Sequence, residues 1–422
     1  MDEFPNAVWR VQSFFLENNI NKALRAFFDA NPLLHKLIGL TVCNQIVQNA
    51  MRVALILYAL REGASSATVG ILMGCFAFLP MFFSVAIGRR IDRDPYLPLL
   101  AGSCGVLLSV FLTLALPYLP VLFVSALICG LSFSTFSIAV QHITGELGIA
   151  TDRARNYSLL AVGNASAVFA GPLLAGFVID HLGFKALFAL LMIFPVLPIY
   201  VFYTRKLILP SPRRDLPPRS GETVVTLLKI RPLRHLLLIN LLISTGWDIH
   251  AILVPIYGHS IDLSASQIGI ILSAFGIATF VVRAVMPFIM HHLSETQILR
   301  MALIASGAAY LVFPFLKSAL LLAMVSFVLG FFLGSGQPMV LALLHGNAPP
   351  RRTGEAAGLR LSMLQMASVI MPVAFSSLGA AIGFVPVLWA ASLAMFAGQH
   401  LAKPSLNPAL PAIEKPPPSE KT

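Results

Sequence analysis

The stretch CNQIVQNAMRVALILYAL, residues 43–60, places Asn44, Gln45, Gln48, Asn49 and Arg52 inside an apolar run. Amides and a guanidinium are costly in hydrocarbon unless they face water, a ligand or a polar partner. Gln45, Gln48, Asn49 and Arg52 follow the i, i+3, i+4, i+7 spacing of one helical face, with Asn44 beside them. Val42, Ile46, Val53 and Leu57 make the opposite face apolar. A second run, NLLISTGWDIHAILVPIYG, carries Trp247, Asp248 and His250 near its middle. A carboxylate and an imidazole can each take up and release a proton, although His250 alone fits an interior histidine bonded to its neighbours equally well. Gln337 in GSGQPM, with Gln365 and Ser368 further on, adds polar groups to two later runs. The residue types point to Asn44, Gln45, Gln48, Asn49, Arg52, Trp247, Gln337 and Gln365 as ligand-binding groups. Asp248 and His250 are the candidates for ion coupling.

The elements that carry these side chains follow from composition. The chain has 422 residues, 57% hydrophobic and 11% charged, with a mean hydropathy of +0.82. Soluble domains carry roughly 25% charged residues, so the expected solvent is lipid. Apolar runs bounded by charges, Gly and Pro give twelve expected spans, near 37–60, 66–87, 97–117, 119–142, 157–179, 184–203, 236–257, 266–289, 297–316, 319–344, 358–381 and 383–402. The reading is an all-α membrane protein. Its parts are an amphipathic leader (1–34), a six-helix bundle (35–203), a Pro- and Arg-rich linker (204–234), a second six-helix bundle (235–402) and a disordered tail (403–422).

The net charge of +11 arises in loops rather than in a basic stripe, so membrane orientation accounts for it better than nucleic acid does. Lys and Arg gather in the N-terminal segment, 88–95, 144–156, 204–234, 345–356 and the tail. Arg61, Lys185 and Lys317 stand on the other side. The positive-inside rule therefore puts both termini in the cytoplasm. Cys43, Cys75, Cys104 and Cys129 all fall within spans and read as packing residues, with no disulfide framework or metal site.

The chain also repeats itself. VGILMG at 69–74 returns as IGIILS at 268–273, 199 residues later. Gly130, Pro172 and Gly183-Phe184 return 200 residues later as Gly330, Pro372 and Gly383-Phe384. Two pseudo-symmetric six-helix halves are expected, with the binding site between them near the midplane. The same shift sets Asp248 level with Asn49 and Arg52 one turn away. The two charges would face each other either as a coupling pair or as a fixed structural ion pair.

Two motifs carry a resemblance. The loop GRRIDRDPYL supplies Gly88, Asp92 and Arg93 in the register of G-x-L-x-D-R-x-G-R-R. Span five, GNASAVFAGPLLAG, supplies Gly163, Gly171, Pro172 and Gly176. In a twelve-span chain these resemble the major facilitator superfamily, and the second is similar to the antiporter signature of its drug/proton branch. The resemblance implies alternating access, a cytoplasmic latch at Gly88, Asp92 and Arg93, and helix packing at Gly163, Gly171, Pro172 and Gly176. That branch has an arginine in span four in R-x-x-Q-G, where this chain has Gln141 and His142.

The sequence reading is a monomeric secondary transporter of a bacterial inner membrane, not an enzyme and without a cofactor, acting on a small molecule and on protons. Proton-coupled export of small organic compounds comes first. Proton-coupled import of an organic anion is the alternative, and a membrane-embedded sensory or structural protein of the same fold is a third reading.

Overall fold

The computed structural model describes residues 32–91, 94–147, 153–207, 209, 224–349, 353–403 and 406. Most of the expected leader, Asp92 and Arg93 of the expected latch, residues 210–223 of the linker and the tail past 406 lie outside the described residues. Among the described residues there are twelve α-helices: α1 Pro32–Arg61, α2 Ser66–Ile91, α3 Tyr96–Ala115, α4 Leu119–Glu146, α5 Arg153–Leu191, α6 Ile193–Tyr203, α7 Arg231–Ser260, α8 Ala265–His292, α9 Glu295–Val312, α10 Ala319–Asn347, α11 Thr353–Ile382 and α12 Phe384–Gly398.

Eleven described stretches are long and apolar enough to cross a bilayer, and one of them, Asn156–Tyr203, has 48 residues. At 1.5 Å per residue that stretch would run about 70 Å, more than twice a hydrocarbon core of about 30 Å. It bends at Gly183, where φ is 80°, and therefore holds two crossings, giving twelve in all. Gly383, its repeat mate, has φ 86°. A side chain at either corner would be strained in this left-handed conformation. The expected spans and the helices agree in number and order; α1, α7 and α11 begin five residues earlier than expected, and α5 continues past the Gly183 corner to Leu191, so that α6 starts at Ile193 rather than near 184.

The repeat is carried into the packing. Gly130 of α4 lies against the Phe76 backbone of α2, and Gly330 of α10 against the Phe275 backbone of α8. The Tyr58 hydroxyl donates to the Pro117 carbonyl, and its mate Tyr257 donates to the carbonyls of Pro314 and Leu316. Across the seam between the halves, Gly70 of α2 abuts the Pro372 carbonyl of α11, and Gly269 of α8 abuts the Pro172 carbonyl of α5. Small residues let the helices approach closely in lipid, where apolar side chains gain nothing by leaving the solvent. Outward-facing side chains such as Phe82, Phe111, Leu182, Ile193 and Leu393 are apolar and exposed.

Polar bonds close the seam at its Arg61 end. Both oxygens of Asp180, on α5, accept from the first turn of α8: Ala265 N at 3.0 Å and Ser266 N at 2.7 Å. These N–H groups have no partner within their own helix, and a carboxylate complements the positive end of the helix dipole. Asp180→Asn keeps one acceptor and loses the charge. The expected result is a few-fold shift toward separation at this end, with little change in folding. Accessibility of cysteines introduced near Asp180 and Ser266 to a water-soluble maleimide would measure it, and unchanged labelling would show that the bonds do not hold the seam.

Candidate functional site

Asn49 and Arg52 of α1, Val168 and Pro172 of α5, Trp247, Asp248, His250 and Ala251 of α7, and Leu272 and Phe275 of α8 enclose a cavity of about 160 Å³ at the seam. Two larger cavities among the described residues carry few polar atoms. One of about 390 Å³ is lined by Ile46, Phe169 and Leu173 with their neighbours, and one of about 210 Å³ by residues of α7, α11 and α12.

Local chemistry in α5 shapes the wall. Pro172 has no N–H to give the carbonyl of Val168 four residues back, which leaves a backbone acceptor at the cavity. On either side, the Ala167 carbonyl accepts from Asn49 Nδ2 at 3.2 Å and the Phe169 carbonyl from Ser273 Oγ at 2.8 Å. Gly171 has no Cβ, which lets Asn49 come close; a Cβ there would sit 2.6 Å from that of Asn49. Gly163 faces Ile38 of α1, and Gly176 faces Ala265 and Ser266 of α8. The span-five motif thus packs α5 against α1 on one side and α8 on the other. A Cβ added at Gly88 of α2 would meet no neighbouring atom within 4 Å.

The charged groups share this cavity without bonding to each other. Asp248 accepts from Ser368 Oγ of α11 at 3.0 Å. The Arg52 guanidinium lies 5.6 Å from the centre of the Phe76 ring, and its Nε is buried without a partner. Trp247 Nε1 is also buried without a partner, its ring edge-on to Phe275 at 4.7 Å. His250 stacks on Phe275 at 4.4 Å and shares a 2.9 Å hydrogen bond with Ser326 of α10. Two unpartnered donors and one carboxylate therefore line a single chamber. Such a chamber can hold a small solute by hydrogen bonds while a proton is taken up or released at the carboxylate.

The α1 stripe is divided among several neighbours. Asn44 is fully buried and donates to Ser103 Oγ of α3 at 3.0 Å, and Gln48 accepts from Cys129 Sγ of α4 at 3.0 Å. Gln45 is half-buried, its Oε1 without a partner. Of the stripe, only Asn49 and Arg52 line the cavity. Gln365 is half-buried on α11. Gln337 belongs to a second polar cluster: its Oε1 accepts from Arg360 Nη2, its Nε2 donates to Ser244 Oγ at 3.4 Å, and Arg360 Nε donates to Asn240 Oδ1 at 2.8 Å. Sequence reasoning passed over Arg360 and Asn240. The signals were present: an arginine just inside span eleven, and Asn240, Ser244 and Asp248 at four-residue spacing on α7. Arg283, whose position near a span end suggests snorkelling to the surface, instead donates to the Ala161 carbonyl of α5.

Two matched helix bundles around a polar chamber define a polytopic membrane carrier. The family model of the Major Facilitator Superfamily matches residues 37–372 and, in a second placement, 236–421. The chain belongs to that superfamily, and it is an integral membrane transporter of small molecules. It is 25% identical over 317 residues to the class G tetracycline resistance protein of Vibrio anguillarum, covering 73% of this chain and 80% of that protein. It is also 25% identical over 231 residues to multidrug resistance protein MdtG of Salmonella typhi, but spans only 57% of that relative's length. Among solved structures, the peptide transporter POT in complex with alafosfalin superposes with a TM-score of 0.73. The sequence identity is 15%, over 90% of this chain and 96% of that one, a likeness of fold.

Proposed function

We propose that this protein exports small organic compounds from the cytoplasm in exchange for protons, with both termini inside, the Arg61 end outward and a single chain as the working unit. The cavity carries this reading: two residues with unpartnered donors, Arg52 and Trp247, line it beside its one lining carboxylate, Asp248, and helices of both halves form its wall. In the mechanism, solute occupies the chamber against Arg52, Trp247 and Asn49 while Asp248 is ionised. Opening of the α5–α8 and α2–α11 seams at the Arg61 end releases the solute outward and exposes Asp248 to protons. Protonation weakens its attraction to Arg52 and favours return to the inward-open state. The resistance functions named in the two sequence relatives support export of drug-like compounds. A second reading, import of an organic anion together with protons, draws on Arg52, a guanidinium with no carboxylate bonded to it.

Proteoliposomes separate the two readings whichever way the protein inserts. With vesicles acidic inside, exchange drives tetracycline or ethidium inward. With vesicles acidic outside, co-transport drives uptake of benzoate. Uptake of the first kind is expected. Uptake only of the second kind favours anion import, and gradient-independent leakage in both would overturn both.

A further inference from the structure

We infer that Arg360, held by Asn240 and Gln337, forms a second oxyanion-binding site, separate from the central cavity, that takes the carboxylate, sulfonate or phosphate group of an anionic ligand. Arg360 lies seven residues inside α11 and is turned toward α7 and α10. Its Nε and Nη2 donate to two neutral amide oxygens, and Asn240 is 1% exposed. Among the described residues no carboxylate bonds the guanidinium, so its charge is oriented by neighbours and neutralised by none of them.

A charge held this way inside a membrane protein marks a ligand or ion path more often than a mere strut. Among the described residues Nη1 has no hydrogen-bond partner, and it is not one of the sealed-in polar atoms that lack one, so part of its surface stays accessible. The planar guanidinium presents its free N–H bonds in the geometry that matches an oxyanion. The amides fix its rotamer before a ligand arrives, and the Gln337–Ser244 bond steadies one of them. Along α7, Asn240 stands about 12 Å from Asp248, eight residues at 1.5 Å each, and neither Arg360, Asn240 nor Gln337 is among the residues lining the central cavity. The inference is independent of the direction of transport.

The test uses the full chain in phosphatidylcholine nanodiscs, in an Arg52→Gln background that removes the central guanidinium. Thermal stabilisation is titrated with sodium sulfate and sodium benzoate against sodium chloride at matched ionic strength. Saturable stabilisation by the oxyanions is expected, with the apparent affinity falling about tenfold or more on adding Arg360→Gln. Arg360→Lys, which keeps the charge but not the fork, should fall between, and it serves if the glutamine variant does not fold. Equal titrations with and without Arg360→Gln, or no saturable oxyanion effect in the background, would overturn the site. Discs containing phosphatidylglycerol distinguish the source. If sulfate stabilisation disappears there and native mass spectrometry shows fewer retained anionic lipids in Arg360→Gln, the oxyanion is a lipid headgroup. If stabilisation persists, it is a free solute.

Discussion

Asp248→Asn is expected to abolish accumulation of solute against its gradient while leaving solute–solute exchange in place. Asp248 is the one carboxylate among the residues lining the chamber. Coupling needs a group whose charge changes once per cycle, and the amide cannot supply one. Each proton moved through one pH unit provides about 1.4 kcal/mol, enough for about tenfold accumulation. The variant should therefore stop near a ratio of about one whatever pH difference is imposed. Its fold should survive, because asparagine still offers an oxygen to Ser368 Oγ, which bonds the native carboxylate at 3.0 Å. Asp248→Glu should retain part of the coupling. Full accumulation by the asparagine variant would remove Asp248 from the mechanism and leave it as a helix-packing carboxylate.

The second large effect contrasts two glycines. A Cβ at Gly176 would overlap the Ala265 carbonyl across the seam, and one at Gly130 would overlap the Phe76 carbonyl within a single half. Both substitutions to valine overpack, at about 1–3 kcal/mol, but only the first clash is relieved by the seam opening proposed above. Gly176→Val should populate the state in which α5 and α8 part at the Arg61 end. The spin-label distance between positions 62 and 262 should lengthen, and transport should fall about tenfold or more while the protein remains folded. Gly130→Val has no such escape and should lower yield and thermal stability. If the two variants unfold alike, the α5–α8 contact is a static core contact and not a moving seam.

Much of this arrangement can be read from the residues alone. Hydropathy places the spans because every backbone polar group in lipid must be satisfied within its own helix. The glycines and prolines repeated about 200 residues apart mark the close approaches, since only a missing Cβ admits a neighbouring backbone. Asp248 stands out because a carboxylate in mid-span needs a reason to be there. The partition of the α1 stripe was not legible. Helical spacing shows which side chains share a face, but it cannot say that Asn44 meets Ser103, or Gln48 Cys129, while Arg52 lines the cavity. Those outcomes depend on which neighbour presents a polar atom at the same depth. Arg360 escaped for a related reason: a cation near a span end reads as a surface charge until its amide partners on two other helices are seen.

The corner at Gly183 has a mechanical consequence. A single left-handed residue joins the seam-forming part of α5 to the segment that continues into α6, and its mate at Gly383 does the same between α11 and α12. So short a hinge leaves no slack, and tilting of the inner helix must swing the outer one with it. The outer helix meets the acyl chains through Ile193, Val196, Leu197 and Tyr200, all more than half exposed. In the proposed cycle each turnover therefore deforms the surrounding lipid, and the thickness and stiffness of the bilayer enter its energetics directly.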